Sequence, residues 1–366
     1  METFRGGLLL LVRWLVHYPI VFGTYRVKNW SRAPFFLQQE LQEKPGILVS
    51  NYGNYFYDDI LGAMLAPVWP FTFVKDSVFR VPFLKPFYRF FRCIPIIRSS
   101  DQYYKSDQRI AKNEQTLDHV AGLLHRGHWF SVFPEADPRH RSQLVKPLRP
   151  GVAHVALRAE RKANWKLGLQ IYVYGTNYEN KFAGRSYLYL RWAAPISVAR
   201  YQGLYERDER AAEEMLLSEV EAALHSVVLE AQTLDQLVDA HRLAYQKGQA
   251  NFSGVHQALN DVVTRKAAPR ELRRIVCRKR ESLSYQIIGY VLWFVGGALG
   301  WPLRTFGKLC AKDRSEEMTF QFTLWSLILL TGFVVGEEDW VVVQALGTWL
   351  AMTMWLWGWR RGMIER

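Results

Sequence analysis

The sequence has few cysteines and lacks several common binding signatures. Three cysteines, Cys93, Cys277 and Cys310, are widely spaced in 366 residues, so they form neither a disulfide framework nor a metal-binding pattern and are expected to be reduced thiols. The sequence contains no zinc-knuckle spacing, helix-turn-helix pattern, aromatic RNA signature or nucleotide-type glycine-rich loop. These absences argue against a secreted disulfide scaffold and a nucleic-acid-binding protein, and they predict neither a bound metal nor a cofactor.

The charge balance is strongly basic. The chain has 47 Lys and Arg residues against 34 Asp and Glu residues, a formal net charge of +13. This excess would suit either nucleic acid or an anionic membrane surface, where each Lys or Arg gains on the order of 1 kcal/mol. Fourteen tryptophans and a hydrophobic content of 49% favour the membrane. We therefore expect membrane lipids, and no nucleic acid, among its partners.

The C-terminal part contains long apolar runs. Residues 318–336 and 340–359 are each close to the ~20 residues that cross a bilayer, and only three acidic residues separate them. This pattern predicts a transmembrane hairpin with its acidic tip translocated and its basic flanks in the cytoplasm. The earlier run 287–303 has basic clusters at both ends and internal Gly and Pro. It is predicted to be a re-entrant or interfacial segment, with a third transmembrane helix as the alternative.

The N-terminal region is also apolar. Residues 8–22 are interrupted by Arg13 and His17, so they are too short and too charged for a good membrane span. We predict an amphipathic helix in the membrane interface, with Trp14 and Tyr18 at the level of the lipid headgroups. The alternative is a helix buried in the protein core. These features together predict an integral membrane protein with the domain between its two membrane regions on the cytoplasmic face, at the inner membrane if the source is bacterial.

Between the two membrane regions the pattern alternates between strands and helices. Apolar runs of strand length predict strands over 46–50, 70–74, 93–97, 129–133, 169–174 and 187–192. Helical spacing predicts helices over 58–65, from Ser106 as cap to Gly127, and over 151–163. In the second of these helices, Ile110, Leu117 and Val120 are expected on one buried face. Alternation of this kind predicts an α/β fold with a mostly parallel sheet flanked by helices.

These patterns divide the chain into four predicted units. Residues 1–31 form an N-terminal membrane-anchoring helix, and 32–205 form the α/β domain. Residues 206–283 form a helical connector, with Leu216, Val220 and Leu224 at helical spacing for packing. Residues 284–366 hold the re-entrant segment and the transmembrane hairpin.

Polar side chains follow several of the predicted strands. Tyr52, Asn54 and Asp58 follow the first, Arg98 follows the third, and the loop after the fourth carries Glu135 and, further on, Arg149. Because the carboxyl ends of parallel strands meet at one edge of a sheet, we expect these loops to form a single crevice.

Four blocks of sequence resemble the glycerophospholipid acyltransferase family. "NYGNYFYDDIL" resembles the family's "NHxNxxxDxL", and "RCIPIIRSSD" resembles "GxIPVxR". "VFPEADPRHRSQLVKPLRPGVAHVAL" resembles "FPEG" followed by "PLKxGxA", and "LQIYVYGTNYENKFAGRSYLYLRWAAPI" resembles "IVPVGLNY" followed by "RFGxPI". The four blocks occur in the family's order with suitable gaps. The resemblance continues into the helical stretch Glu206–Gln246 and the terminal apolar segments, so it covers most of the chain.

The resemblance implies a function and a set of site residues. Members transfer a fatty acyl group from acyl-CoA or acyl-ACP, a co-substrate rather than a cofactor, to a glycerol phosphate or lysolipid in phospholipid biosynthesis. Asp58 matches the catalytic Asp and Tyr52 stands where the family has its catalytic His. Asn54, Arg98, Glu135 and Arg149 match substrate-binding positions, and the basic groups would hold the acceptor phosphate.

The chain departs from the family pattern at the position of the general base. A Tyr phenol has a reference pKa near 10 against about 6.5 for His, so Tyr52 would be a poor resting base and is expected to position the nucleophile. His140 is an alternative base, although flanking arginines favour a solvated loop, and His128 is a weaker one. Asp59 could also act as base, against the simpler interpretation of a carboxylate at a helix N-terminus.

The sequence is therefore compatible with two functions of different class. The first is a membrane-bound acyltransferase acting on an acyl thioester. The second is a catalytically inactive relative that binds lipid or acts as a scaffold. Retention of Asp58, Arg98, Glu135 and Arg149 favours the enzyme, whereas loss of the His and replacement of the "FPEG" glycine by Ala136 favour the second.

Overall fold

A computed structural model describes residues 2–18, 21–22, 25–29, 44–80, 84–98, 103–135, 143–180, 186–249 and 251–264. These residues build one sheet with helices on both faces. Its strands are β1 (Arg26–Lys28), β2 (Gly46–Ser50), β3 (Phe71–Lys75), β4 (Cys93–Ile96), β5 (Phe130–Val132), β6 (Gln170–Tyr178), β7 (Tyr187–Trp192) and β8 (Ile196–Ser197).

The sheet is mixed but mostly parallel. The strand order is β1-β7-β6-β2-β5-β3-β4, with β8 paired to β6 off this path. The pairs β1/β7, β6/β2, β2/β5, β5/β3 and β3/β4 are parallel, whereas β7 and β8 run antiparallel to β6. The predicted mostly parallel sheet is therefore confirmed, and its four parallel neighbours β2, β5, β3 and β4 end at the same edge.

The predicted strands differ from the observed strands mainly at their ends. The strand predicted over 169–174 continues as β6 to Tyr178, because Thr176, Asn177 and Tyr178 pair with β7. The short strand β1 was not predicted. It lies inside the predicted N-terminal unit 1–31, yet it pairs with β7 and so belongs to the sheet.

The helices cover both faces of the sheet and extend beyond it. They are α1 (Glu2–Val12), continued by a π-helical turn (Arg13–His17), α2 (Tyr55–Leu65), α3 (Asp76–Phe79), α4 (Leu84–Phe90), α5 (Ser106–His125), α6 (Gly151–Lys162), α7 (Gln202–Tyr205), α8 (Glu209–Val227), α9 (Leu234–Gln246) and α10 (Phe252–Val263). Two predictions about α5 were wrong. Lys105 rather than Ser106 is its N-cap residue, without a side-chain hydrogen bond, and Ile110 is 56% exposed.

Alternating side chains of the central strand fill two separate cores. Ile47 and Val49 of β2 lie in a cluster with α5, α6 and α8, whereas Leu48 lies in a second cluster with α1 and α2. This alternation follows from the two-residue period of a strand. Fully burying each such side chain contributes about 1.5–3 kcal/mol. The loops at the edge of the sheet are thus held between two packed layers.

The N-terminal helix turns its charged residues inward. Arg13 donates a hydrogen bond from Nη1 to the Ala66 carbonyl at 3.1 Å, and the His17 ring lies 5.1 Å from that of Trp69. Burial lowers the pKa of Arg13 and lowers that of His17 to about 3. In contrast, Trp14 is 62% exposed. One face of the helix therefore packs on the core, as the core-helix alternative required, while apolar residues remain on the outside.

The predicted connector begins with a helix that packs on the sheet. Leu216, Val220 and Leu224 of α8 are buried, at the spacing expected from the sequence. Gly175 lies beneath the end of α8, where a Cβ atom would come within 2.1 Å of the Val227 carbonyl oxygen. Asn177 also donates to that oxygen at 2.9 Å. The end of α8 is thus fixed against β6.

The predicted membrane segments of 284–366 lie outside the described residues. Within the described ranges, no helix combines the length and the apolar character needed to span a bilayer.

Candidate active site

The candidate site lies at the carboxyl edge of the parallel strands. Residues 51–54 follow β2, residues 133–135 follow β5, and Arg98 follows β4 by two residues. Lys75, the last residue of β3, pairs in register with Ile96 of β4 and so lies at the same edge. The topology therefore brings together the loops that the sequence predicted to share a crevice.

The loop after β2 is held by a side chain that sequence reasoning missed. Asn51 Oδ1 accepts a hydrogen bond from the Thr176 backbone N–H at 2.8 Å, and its Nδ2 donates to the Thr176 carbonyl at 3.0 Å. These two bonds extend the β2/β6 pairing by one step beyond Ser50. The only local signal for this role was a polar residue directly after a buried strand.

Asp58 is sealed inside the protein. Its relative exposure is 0%, its Oδ2 accepts from the Asn54 backbone N–H at 2.6 Å, and its Oδ1 accepts from the Tyr178 hydroxyl at 2.8 Å. Burial raises its pKa to about 6, against the lowering effect of these hydrogen bonds. Asp58 therefore holds the backbone of Asn54, the N-cap residue of α2, and ties the helix to β6.

Asn54 belongs to the same buried group. Its Nδ2 donates to the Tyr25 hydroxyl at 2.9 Å, and its carbonyl accepts from the N–H groups of Tyr57 and Asp58 in the first turn of α2. The rings of Tyr57 and Tyr178 each lie edge-on to Tyr25 with centroids 5.0 Å apart. The described contacts of Asn54 are structural, and its predicted contact with substrate stays a prediction.

Tyr52 lies on the open side of this group. Its ring stacks on Phe133 with centroids 4.5 Å apart, and its hydroxyl donates to Asp59 Oδ2 at 3.3 Å. Burial and the neighbouring charge of Asp59 raise the pKa of Tyr52 well above 10. The phenol therefore acts as a hydrogen-bond donor at neutral pH and cannot act as a resting base.

Asp59 and Arg98 are both only partly buried. Burial, followed by the charge of Asp58, raises the pKa of Asp59 to about 7. The hydrogen bond from Tyr52 and the positive charge of Arg98 act in the opposite direction. Arg98 thus lies near the Tyr52 and Asp59 pair, and its guanidinium could also meet an anionic substrate group.

Glu135 joins two loops of the site. It is 5% exposed, its Oε1 accepts from the Tyr52 backbone N–H at 2.7 Å, and its Oε2 accepts from the Val145 backbone N–H at 2.8 Å. Burial raises its pKa, and the two backbone bonds oppose this effect. Both oxygens are thus engaged within the protein, and the predicted substrate contact of Glu135 stays a prediction.

Two further cations border the site. Arg149 is exposed, and its backbone N–H donates to the Pro134 carbonyl at 2.8 Å, next to Glu135. Lys75 is partly buried at the end of β3. Sequence reasoning missed Lys75, although a Lys that ends an apolar strand was a visible signal. Together with Arg98, these residues give the edge a positive character suited to a phosphate group.

The alternative histidine bases have different positions. His128 precedes β5, at the opposite end of that strand from the site, and its ring lies edge-on to Phe71 with centroids 5.3 Å apart. It is therefore not placed to act at the carboxyl edge. His140 lies outside the described residues. In the described part of the chain, no cluster of three or more His, Cys, Asp or Glu side chains could hold a metal ion.

One family of known proteins matches the part of the chain that carries the site. Residues 34–178, which include β2 to β6, match the family described as Acyltransferase. The matched range contains Tyr52, Asp58, Asp59, Arg98, Glu135 and Arg149. This part of the chain is therefore similar to the acyltransferase family, and the match supports an acyltransferase enzyme.

Among solved structures, the chain is similar to the crystal structure of the 1-acyl-sn-glycerophosphate (LPA) acyltransferase PlsC from Thermotoga maritima. The match has 15% sequence identity and a TM-score of 0.35, and it covers 60% of this chain and 88% of that chain. No curated protein matches the chain significantly. The identification consequently rests on the family match.

Proposed function

We propose that this protein transfers a fatty acyl group from an acyl thioester, acyl-CoA or acyl-ACP, to the hydroxyl group of a glycerol phosphate or lysolipid. The observation that carries this proposal is the grouping of Tyr52, Asp59 and Arg98 at the carboxyl edge of a sheet that matches the acyltransferase family. A carboxylate and a cation at one edge can receive a proton and hold an anion. These are the two tasks required by attack of a phosphate-bearing alcohol on a thioester.

The acceptor is proposed to carry a phosphate group. Lys75 ends β3, Arg98 lies two residues beyond the neighbouring parallel strand β4, and Arg149 follows Glu135 in the adjoining loop. An Arg fork forms two parallel hydrogen bonds with phosphate oxygens, and each charge-assisted bond contributes about 1.5–3 kcal/mol. An acceptor without phosphate would lose this binding energy.

The reaction is proposed to take place at a membrane surface on the cytoplasmic side. The outer face of the N-terminal helical segment exposes large apolar side chains: Leu10, Leu11, Trp14 and Phe22. Trp14 and Tyr18 stack with centroids 4.6 Å apart, and Tyr18 and Phe22 stack at 5.7 Å. An exposed aromatic row of this kind suits the headgroup region of a bilayer, where amphipathic rings concentrate. Lipid substrates could then reach the site without leaving the membrane.

Acyl transfer by the purified full-length chain tests this function. The protein would be supplied with acyl-CoA or acyl-ACP, and release of free thiol would be followed with glycerol 3-phosphate, a lysophosphatidic acid and their dephosphorylated counterparts. We expect turnover with the phosphorylated acceptors and at least 10-fold less with the others. Arg98→Gln should remove this preference, whereas the exposed Arg207→Gln should not.

A second candidate is a non-catalytic lipid-binding protein, favoured by the raised pKa of Tyr52. The variant Tyr52→His distinguishes the two. Thiol release by this variant alone would mean that the native chain binds lipid without transferring acyl groups, and the proposed reaction would then be wrong.

A further inference from the structure

The two adjacent carboxylates of α2 have opposite surroundings. Asp58 is fully enclosed, and both of its oxygens accept hydrogen bonds from within the protein. Asp59 is partly exposed. A group that takes a proton from a substrate must come within hydrogen-bond reach of it, at about 2.6–3.2 Å. Of the two, Asp59 is the carboxylate that a substrate can reach.

We propose that Asp59 is the general base of the acyl transfer and that Tyr52 positions it. This inference rests on the proposed function. It assigns the role of proton acceptor to the residue after the one that matches the family's Asp, and it gives Tyr52 a task that does not require loss of its own proton.

Three contacts fix the geometry of Tyr52. Phe133 stacks on its ring, and Glu135 accepts from its backbone N–H. Its hydroxyl donates to Asp59 Oδ2 at 3.3 Å. The other oxygen of this partly exposed carboxylate, Oδ1, is the one assigned to the substrate hydroxyl. Tyr52 thereby holds Asp59 in one orientation, as a second residue must do for any general base.

The electrostatic surroundings give Asp59 the strength that a base requires. The charged and titratable side chains that face it are Tyr52, Asp58, Cys93, Arg98 and Tyr174. Burial and the charge of Asp58 raise its pKa to about 7, while Tyr52 and Arg98 limit the rise. That value is close to the reference pKa of about 6.5 for imidazole. A carboxylate in this environment can therefore replace the missing His at neutral pH.

The chemical step balances with Asp59 alone as proton carrier. The acceptor hydroxyl oxygen attacks the thioester carbonyl carbon, and its proton passes to Asp59 Oδ1. The resulting tetrahedral species collapses with cleavage of the carbon–sulfur bond, and the departing sulfur takes the proton from Asp59. One ester and one free thiol are formed, and Asp59 returns to its ionised state.

Substitution of the two carboxylates tests the assignment. We expect Asp59→Asn to lower kcat by about 100- to 10,000-fold, the usual contribution of a general base, while the urea midpoint of unfolding stays unchanged. Asp59→Glu keeps a carboxylate and should retain more activity than Asp59→Asn. The matched control Asp107→Asn, at an exposed position in the first turn of α5, should behave as the wild type does.

A pH profile separates a base from a merely structural residue. The wild-type kcat/KM should fall as the pH drops through about 7, because Asp59 must be ionised to accept a proton. Tyr52→Phe removes a hydrogen bond that lowers the pKa of Asp59. This acidic limb should therefore move to higher pH, with a loss in kcat of about 2- to 10-fold from the missing bond. A structural role for Tyr52 would leave the limb in place.

The outcomes distinguish the inference from the function on which it rests. Wild-type turnover that survives in Asp59→Asn would overturn the assignment of Asp59 and leave the proposed function standing. Absence of wild-type turnover with every acceptor, whether or not Tyr52→His is active, would overturn both. Wild-type turnover that Asp59→Asn abolishes in a folded protein, with the predicted shift in Tyr52→Phe, would support both.

Discussion

The inner and outer halves of the site use the same kinds of residue for different purposes. The inner half, Asp58 with Asn54 and Tyr178, is sealed, and its carboxylate accepts hydrogen bonds from a backbone N–H and a Tyr hydroxyl. The outer half, Asp59 with Tyr52 and Arg98, also pairs a carboxylate with a Tyr hydroxyl, but it is partly exposed. Exposure therefore distinguishes an anchor from a group that can meet substrate. Inner variants should change stability, and outer variants should change turnover.

The largest effect is expected from Asp58→Ala. This variant leaves the Tyr178 hydroxyl and the Asn54 N–H without an acceptor. Each buried polar group that lacks a hydrogen-bond partner costs about 1–3 kcal/mol of stability. The free energy of unfolding, measured by urea titration, should fall by about 2–5 kcal/mol. Loss of activity in Asp58→Ala would then reflect loss of the fold. An unfolding curve equal to that of the wild type, combined with lost turnover, would contradict the division between the halves.

Arg98→Gln should give the next largest effect, confined to the outer half. Removal of the guanidinium should raise KM for a phosphorylated acceptor by about 10- to 100-fold, the equivalent of one or two charge-assisted hydrogen bonds. Steady-state kinetics with varied acceptor would measure it, and the urea midpoint should stay constant. A fall in stability with KM unchanged would place Arg98 with the inner half.

His17→Leu extends the comparison to a sealed group of the N-terminal helix. Burial lowers the pKa of His17 to about 3, so the folded protein resists protonation that the unfolded chain accepts below about pH 6.5. Stability is then lost as the pH falls from 6.5 towards 3. The wild type should lose about 2 kcal/mol more than His17→Leu between pH 7 and pH 5.

The raised pKa of Asp58 has the opposite effect on stability as the pH falls, because the folded state binds a proton at Asp58 more tightly than the unfolded chain does. His241, whose pKa burial lowers to about 4, acts in the same sense as His17. Both groups are present in the wild type and in His17→Leu, so the difference between the two proteins isolates His17. Parallel pH dependence of the two urea midpoints would contradict the prediction.

Tyr178→Phe should give the smallest effect. It removes one hydrogen bond to Asp58, which typically contributes about 0.5–1.5 kcal/mol, and leaves the ring contact with Tyr25 in place. The urea midpoint should fall slightly, and kcat in the folded protein should not change. A loss of turnover larger than that of Tyr52→Phe would reverse the roles of the two tyrosines.

The sequence predicted the positions of the strands better than it predicted the hydrogen bonds between side chains. Strands β2, β3, β4, β5 and β7 were predicted to within one or two residues, because each is a short run that contains apolar residues. Strand β1 was missed because Arg26–Lys28 has one apolar residue and takes its place by pairing with β7. Ile110 was expected to be buried, but it is exposed, and the buried residues of α5 lie near its C-terminal end.

The site residues were found more readily than their roles. Tyr52, Asp58, Arg98 and Glu135 could be chosen from the sequence because they follow strands that share one edge. Their roles depend on partners far along the chain, such as the Tyr178 hydroxyl, which is 120 residues from Asp58. The sequence does not encode such pairings locally, and for this reason the exposure of Asp59 and the enclosure of Asp58 could not be predicted.

The two hydrogen bonds of Glu135 have a consequence for how the enzyme could respond to its substrates. One carboxylate holds the backbone of Tyr52 and that of Val145, which lies in the loop leading to Arg149. A displacement of that loop therefore also displaces the residue that orients Asp59. If an anion bound at Arg149 shifted this loop, its binding and the ionisation of Asp59 would be thermodynamically linked, and each would change the free energy of the other by the same amount.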